Sequence, residues 1–149
     1  MAETDLIKLY SGRILELAAA IPHHGSLDAP QASVRKRSPL CGSTVTVEMD
    51  LTGGQVSRYA HDVKACALGQ ASASIFGAHV IGLTGAEIAA LRDQVKAMLI
   101  EDGPVPPAPF NDYEVLVPAR AYKNRHASIL LVLDAAVDAV AEAEANTPA

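Results

Sequence analysis

The sequence of 149 residues has no tryptophan, little aromatic content and few basic residues. The 12 Lys and Arg residues are outnumbered by 17 Asp and Glu residues, which gives a net charge of −5. This balance argues against nucleic acid as a partner, because binding to a phosphate backbone needs a basic face. The one basic run, Arg35–Arg37, is too short to change that expectation.

Long apolar runs are also missing. No stretch approaches the roughly 18 uninterrupted apolar residues that a membrane span requires. The first residues, MAETDLIKLYSGR, lack a basic region followed by an apolar one, so we expect no secretory signal. Two cysteines without an export signal indicate a reducing cytoplasm of bacterial type, where free thiols or metal ligands are more common than disulfides. We therefore expect a cytoplasmic protein without a membrane partner.

The length fits one domain, residues 1–149, and half of the residues are apolar, so a sizeable core can form. Hydrophobic periodicity and turn residues predict the order of the elements. The first half is predicted to hold a helix over 4–20, an extended loop over 21–40, a strand over 43–51, a turn at 52–54 and one or two further strands over 55–65. Three helices are predicted to follow, beginning at Cys66, beginning at Thr84 and over 126–145. Strands first and helices after indicate an α+β sandwich built on an antiparallel meander.

Two residues carry local predictions within the helices. Thr84 and Glu87 have the spacing of a capping box at the start of a helix. Gly69 lies in a predicted helix interior, where glycine costs about 1 kcal/mol relative to alanine. We therefore expect Gly69 to have a packing role.

The two cysteines allow two interpretations each. Cys41 lies in a loop between Pro39 and Gly42, where it is either a small buried hydrophobe or a ligand or nucleophile with a reachable sulfur. Cys66 ends a strand and opens a helix, where the first-turn amides and the helix dipole stabilise a thiolate. From position alone, a shared site and two unrelated thiols remain equally open.

Five histidines are further candidate ligands: His23, His24, His61, His79 and His126. His79 lies among small residues and suits an ordinary packed histidine, whereas His126 starts the last helix and can project toward a site at a domain edge. A set of two cysteines and one histidine suits zinc or iron. The separations in the sequence match no short zinc-finger spacing, so spacing alone is weak evidence.

Four segments, taken in order, resemble the NifU/IscU/SufU scaffold family over nearly all of residues 5–141. LYSGRILELAAAIPHHGSL resembles the family's opening helix and loop, and PLCGSTVTVEMDL resembles its first cysteine motif, Cys-Gly-Asp. KACALGQASASIF is similar to the second motif, Gly-Cys before a run of Ala and Ser, and RHASILLVLDA to the third, His/Lys-Cys-x-x-Leu. The long stretch between the second and third motifs resembles the SufU branch.

The resemblance implies a fold, a function and a site. The fold is a SufE/NifU-like α+β sandwich with a three-stranded antiparallel sheet packed on helices and an N-terminal helix. The function is that of a non-enzymatic scaffold on which iron and sulfide assemble into a cluster, with sulfur from a cysteine desulfurase and delivery to apo iron–sulfur proteins. The implied ligands of iron, of a [2Fe–2S] cluster or of zinc are Cys41, Cys66 and His126.

The sequence departs from the family pattern at the site. Ala127 stands where the family has its third cysteine, Ser43 where it has an aspartate, and Ala65 where it has a glycine. Two thiolates and one imidazole can still hold zinc with a fourth position open. A [2Fe–2S] cluster normally has four protein ligands, so it needs another His, Ser128, an exogenous thiol or a second subunit.

Three hypotheses follow from the residues and the resemblance. The first is a cluster-assembly scaffold or carrier with an altered site, acting as a monomer or weak homodimer. The second is a zinc-bound sulfur-transfer accessory of a cysteine desulfurase. The third is a binding module without metal, in which both cysteines are buried relics. Metal and sulfide content distinguishes the three.

Overall fold

The computed structural model describes residues 11–39 and 42–146, which form a sheet followed by helices. The elements in chain order are α1 (Gly12–Ala19), β1 (Ala32–Arg37), β2 (Thr44–Thr52), β3 (Gln55–Lys64), α2 (Ala67–Gly77), α3 (Gly85–Ile100), a 3-10 helix (Asn111–Ala121) and α4 (Lys123–Asn146). Within the described residues, no helix combines the length and apolarity needed to cross a membrane.

Strand β2 is the centre of a three-stranded antiparallel sheet with the order β1-β2-β3. Its alternating sequence buries Val45, Val47 and Met49 on one face, as the pattern predicts. The hairpin to β3 turns at Gly53 and Gly54, whose φ angles of 61° and 81° suit residues without a Cβ. The predicted antiparallel meander is therefore confirmed.

The third strand lies where the sequence analysis predicted only a loop. β1 occupies six residues of the 21–40 segment, so that part of the prediction is wrong. The alternation is easy to miss, because exposed Arg35 and Arg37 interleave with Val34 and Lys36, which turn toward α4. Short, charged strands of this kind are common at sheet edges, where charge discourages pairing with other chains.

The segment 55–65 holds one strand, β3, and not two. An irregularity in its pairing with β2 at Asp50 and Leu51 shifts the register. As a result, Tyr59, His61 and Val63 lie opposite the buried residues Met49, Val47 and Val45 of β2.

Helix α1 begins at Gly12, so a continuous helix over residues 4–20 is wrong. Ser11 is extended (φ −61°, ψ 163°), and its Oγ accepts a hydrogen bond from the Ile14 amide. A serine in this position satisfies an otherwise unpaired donor of the first turn. Residues 4–10 of the predicted helix lie outside the described residues.

Helices α2, α3 and α4 agree with the prediction, whereas the sequence predicts no helix where the 3-10 helix lies. The Thr84 and Glu87 capping box opens α3: the Glu87 amide donates to Thr84 Oγ1 (3.2 Å), and the Thr84 amide donates to Glu87 Oε1 (3.0 Å). Helix α4 packs against β1 and β2 on one side and against α2, α3 and the 3-10 helix on the other. The α+β arrangement of an antiparallel sheet on helices is thus confirmed.

A buried histidine ties the loop after α1 to the free edge of β3. The backbone of His61 donates to His23 O (3.1 Å) and accepts from the Gly25 amide (2.9 Å). In the side chain, Nε2–H donates to Pro22 O (2.9 Å) and Nδ1 accepts from the Tyr59 hydroxyl (2.8 Å). Burial lowers the pKa of His61 to about 4, so the ring is neutral at pH 7.

Acidification is expected to destabilise the fold through His61. The pKa of His61 is about 4 in the folded chain and 6.5 in the unfolded one, so its contribution is complete above pH 6.5 and is lost as the pH falls toward 4. The loss should reach roughly 3 kcal/mol in the free energy of unfolding. Chemical denaturation at a series of pH values measures it.

His61→Gln is the control, since glutamine keeps polar atoms but does not titrate. Its free energy of unfolding should vary much less than that of the wild type between pH 6.5 and 4. Burial raises the pKa of Asp50, but Arg58 and the Gln31 amide hold it below 3.8, outside this window. Equal slopes in the two proteins would contradict the assignment.

Candidate functional site

Cys66 lies at the junction of the sheet and the helices. It is the N-cap residue of α2, with an extended backbone (φ −67°, ψ 170°) and no side-chain hydrogen bond to the first turn. The thiol is partly buried, and its Sγ lies 3.4 Å from the Oγ of Ser128 in α4. The second cysteine motif therefore contacts the segment that resembles the third.

A chain of hydroxyl groups extends this contact to the first motif. Ser128 Oγ lies 3.2 Å from Ser43 Oγ, just before β2. Ser43 and Ser128 are only 4% and 2% exposed, so the pair is almost fully withdrawn from water. Side chains from the segments that resemble the three cysteine motifs thus meet along the line Ser43–Ser128–Cys66. The sequence analysis considered both serines as single positions but did not anticipate their contact.

Backbone hydrogen bonds join the described residues on either side of Leu40 and Cys41. The Ser38 amide donates to Ser43 O (2.8 Å), and the Gly42 amide donates to Ser38 O (3.0 Å). Gly42 has φ of 71°, a conformation that glycine adopts without strain. Cys41 itself lies outside the described residues, so its role as a ligand stays a prediction.

His126 lies in the first turn of α4 and is buried. Its Nε2 is 2.9 Å from Ala119 O, and because a carbonyl only accepts, Nε2 carries the proton. The lone pair is then on Nδ1, the atom left to bind a metal. A carbonyl that holds the second ring nitrogen is a common support for a metal-binding histidine, so the donor chemistry fits zinc or iron.

The other four histidines do not join this group. His61 belongs to the core, whereas His23, His24 and His79 are exposed. His24 Nε2 lies 3.7 Å from Asp62 Oδ1, and the His79 ring packs edge-on against Phe110. Over residues 11–39 and 42–146, no three His, Cys, Asp or Glu side chains are grouped closely enough to hold a metal ion. This result does not test the predicted set of three ligands, because that set includes Cys41.

A cavity of about 660 Å³ borders the same region. Ser38 and Pro39, just after β1, line it on one side, and His126 and Ala127 of α4 line it on another. Further walls come from the end of β1, the last residues of α3 and Arg120 of the 3-10 helix. Sequence reasoning did not find this cavity, because its walls are distant in the chain and share no local pattern.

Comparisons with known proteins agree with the resemblance seen in the four motifs. A family model described as "NifU-like N terminal domain" matches residues 9–126. A crystal structure of a nitrogen-fixing NifU-like protein (N-terminal) from Brucella abortus is 45% identical, with a TM-score of 0.92, and the alignment covers 96% of this chain and 99% of that one. No curated protein sequence matches the chain.

Two more distant crystal structures share the fold. One is a hypothetical protein that is 24% identical, with a TM-score of 0.78 over 91% of this chain and 98% of that one. The other is a candidate iron–sulfur cluster assembly scaffold protein for the SUF system of Fervidobacterium islandicum AW-1. It is 19% identical, with a TM-score of 0.79 over 90% of this chain and 98% of that one.

Substitution of Gly69 tests how closely α2 packs against Ser128 of α4. A Cβ at this position of α2 would lie 2.6 Å from Ser128 Oγ and 2.8 Å from Ala65 Cβ, so the expected packing role is confirmed. Gly69→Ala should lower the free energy of unfolding by about 1–3 kcal/mol, because the clash outweighs the better helix propensity of alanine. Urea denaturation measures the change.

The matched control is Gly12→Ala in α1, where an added Cβ meets no atom of residues 11–39 or 42–146 within 4 Å. It should be neutral or stabilising by up to about 1 kcal/mol. If Gly69→Ala proved as stable as wild type, the close contact of α2 with Ser128 would be wrong.

Proposed function

Because the chain belongs to the NifU-like N-terminal domain family, we propose that it is a scaffold or carrier for iron–sulfur cluster assembly. Members of this family are assembly scaffolds and not enzymes. The observation that carries the proposal is the convergence of the three motif segments at Ser43, Ser128 and Cys66. Segments far apart in the sequence meet at the point where the family resemblance implies a metal site.

The proposed ligands are Cys41, Cys66 and His126. Two soft thiolates and one imidazole suit iron, iron–sulfur clusters and zinc. The protonated Nε2 of His126 supports this assignment, since it leaves Nδ1 as the donor. Ala127 contributes only a methyl group, so the chain supplies three ligands where a [2Fe–2S] cluster normally has four. The cluster is the cargo of this site, and the open position gives another ligand access to it.

The partners follow from this cargo. Sulfur comes from a cysteine desulfurase, and the assembled cluster passes to apo iron–sulfur proteins. We expect these exchanges in the cytoplasm, with the chain as a monomer or weak homodimer.

The alternative is a zinc-bound sulfur-transfer accessory of a cysteine desulfurase. One observation favours it: three ligands with an open fourth position form the usual set of a reactive zinc site. In this case the protein as isolated contains about one zinc ion per chain and no acid-labile sulfide.

Anaerobic reconstitution with iron, a cysteine desulfurase, cysteine and a dithiol that reduces the enzyme's persulfide to sulfide tests the scaffold proposal. We expect visible charge-transfer bands and near-equal amounts of iron and sulfide, because the two thiolates still anchor a cluster. Cys41→Ser and Cys66→Ser should each abolish the bands, and His126→Gln should weaken them.

His79→Gln is the matched control for His126→Gln, since His79 is exposed, lies outside the motif segments and packs its ring on Phe110. It should reconstitute like the wild type. A wild-type protein without bands or bound iron would refute the scaffold, and bound zinc would then favour the accessory. Absence of iron, zinc and sulfide alike would leave a binding module without metal.

A further inference from the structure

The hydroxyl group of Ser128 is buried in α4 without a carbonyl partner in its own helix. A serine inside a helix commonly donates to the carbonyl four residues earlier. Within residues 11–39 and 42–146, however, its Oγ has only two hydrogen-bonding neighbours, Ser43 Oγ (3.2 Å) and Cys66 Sγ (3.4 Å). Because a buried hydroxyl without a partner is destabilising, these two contacts are what satisfies the Ser128 side chain.

The sulfur of Cys66 depends on the same contact. Cys66 is the N-cap residue of α2, yet its side chain makes no hydrogen bond to the first turn of that helix. Among the described residues, Ser128 Oγ is the one polar atom within hydrogen-bonding distance of the sulfur. The polar contact that can orient this partly buried thiol therefore comes from α4 and not from its own helix.

The protonation state of the sulfur determines the order of donors in this chain of side chains. A hydroxyl carries one proton and a thiolate only accepts, so Ser128 donates to a thiolate at Cys66 and accepts from Ser43. A hydrogen bond with an ionised partner is roughly twice as strong as a neutral one, and consecutive hydroxyl groups polarise one another. The contacts are therefore strongest when Cys66 is a thiolate, the form that binds metal.

Gly69 of α2 provides the space that this hydroxyl occupies. A Cβ at that position would lie 2.6 Å from Ser128 Oγ, closer than the two atoms can approach. Packing alone does not require a hydroxyl here, since alanine in place of Ser128 would favour the helix and leave no polar atom to satisfy. The close approach of the two helices thus brings a polar group to the sulfur.

We propose that Ser128 is a positioning residue for Cys66, whose hydroxyl donates a hydrogen bond to the sulfur and holds it in one orientation. Ser43 supports this bond by donating to Ser128. The effect on a bound cluster rests on the proposed function. In the cluster, a hydrogen bond to a ligating sulfur stabilises the more negative, reduced state and so raises the reduction potential.

The side-chain rotamer of Cys66 in the metal-free protein tests the positioning by itself. Three-bond NMR couplings from the two Hβ protons to Hα and to the amide nitrogen distinguish one staggered rotamer from an average over several. The wild type should show the couplings of a single rotamer, and Ser128→Ala should show averaged couplings. Averaged couplings in the wild type, or a single rotamer in Ser128→Ala, would overturn the proposal.

Ser72→Ala is the matched control, because this serine of α2 is also buried and also bonds to α4. Its Oγ donates to Ile129 O (2.7 Å) and lies 2.9 Å from the Tyr113 hydroxyl, without contact to Cys66. The substitution should lower the free energy of unfolding but leave Cys66 in a single rotamer. Averaged couplings in this variant too would mean that general loosening of the helices governs the sulfur, and would overturn the role of Ser128.

The reduction potential of the reconstituted cluster tests the effect on the cargo. Ser128→Ala should shift it to a lower value than in the wild type. Ser43→Ala should shift it in the same direction by less, because Ser128 keeps its bond to the sulfur, and Ser72→Ala should not shift it.

An unchanged potential in Ser128→Ala would overturn the effect on the cluster, and a larger shift in Ser43→Ala would overturn the order of donors. A wild-type protein that assembles no cluster would instead refute the proposed function. The couplings in the metal-free protein would still decide whether Ser128 positions Cys66.

Discussion

Burial of the first half of helix α4 is the constraint on which the site depends. Residues 128–133 are all buried, because the sheet covers one side of the helix and α2 and α3 cover the other. A helix held on both sides cannot rotate without opening cavities, which cost several kcal/mol when large side chains lose their contacts. The positions of His126, Ala127 and Ser128 are therefore fixed by core packing, although they belong to the proposed site at the edge of the core.

The serine contacts link that packing to the proposed chemistry. Ser128 belongs to the buried face of α4, yet its hydroxyl contacts both the Cys66 thiol and the Ser43 hydroxyl. Small residues make this approach possible, since the space beside Gly69 is already filled by Ser128 and Ala65. The altered position Ala127 lies next to this arrangement and faces a cavity. The fold thus keeps the convergence of the motifs, while the proposed ligands number three.

The fold could be predicted from the sequence wherever a local pattern of residues determines the structure. The alternation of β2 and the capping box at Thr84 are such cases, since neighbours in the chain determine them. The sequence did not reveal β1, because its cationic residues obscure the alternation of exposed and buried positions. It did not reveal the helix start at Ser11 either, because the apolar spacing continues across this serine cap. The Ser43–Ser128 contact and the cavity depend on tertiary packing, and no local pattern contains them.

The most direct test of the central claim is X-ray absorption at the zinc edge of the zinc-loaded protein, which counts the atoms bound to the metal. The account predicts two sulfur neighbours at about 2.3 Å from Cys41 and Cys66 and one nitrogen neighbour at about 2.0 Å from His126, with a light atom or added thiol in the remaining position. A spectrum with fewer than two sulfur neighbours, or one unchanged in His126→Gln, would contradict it.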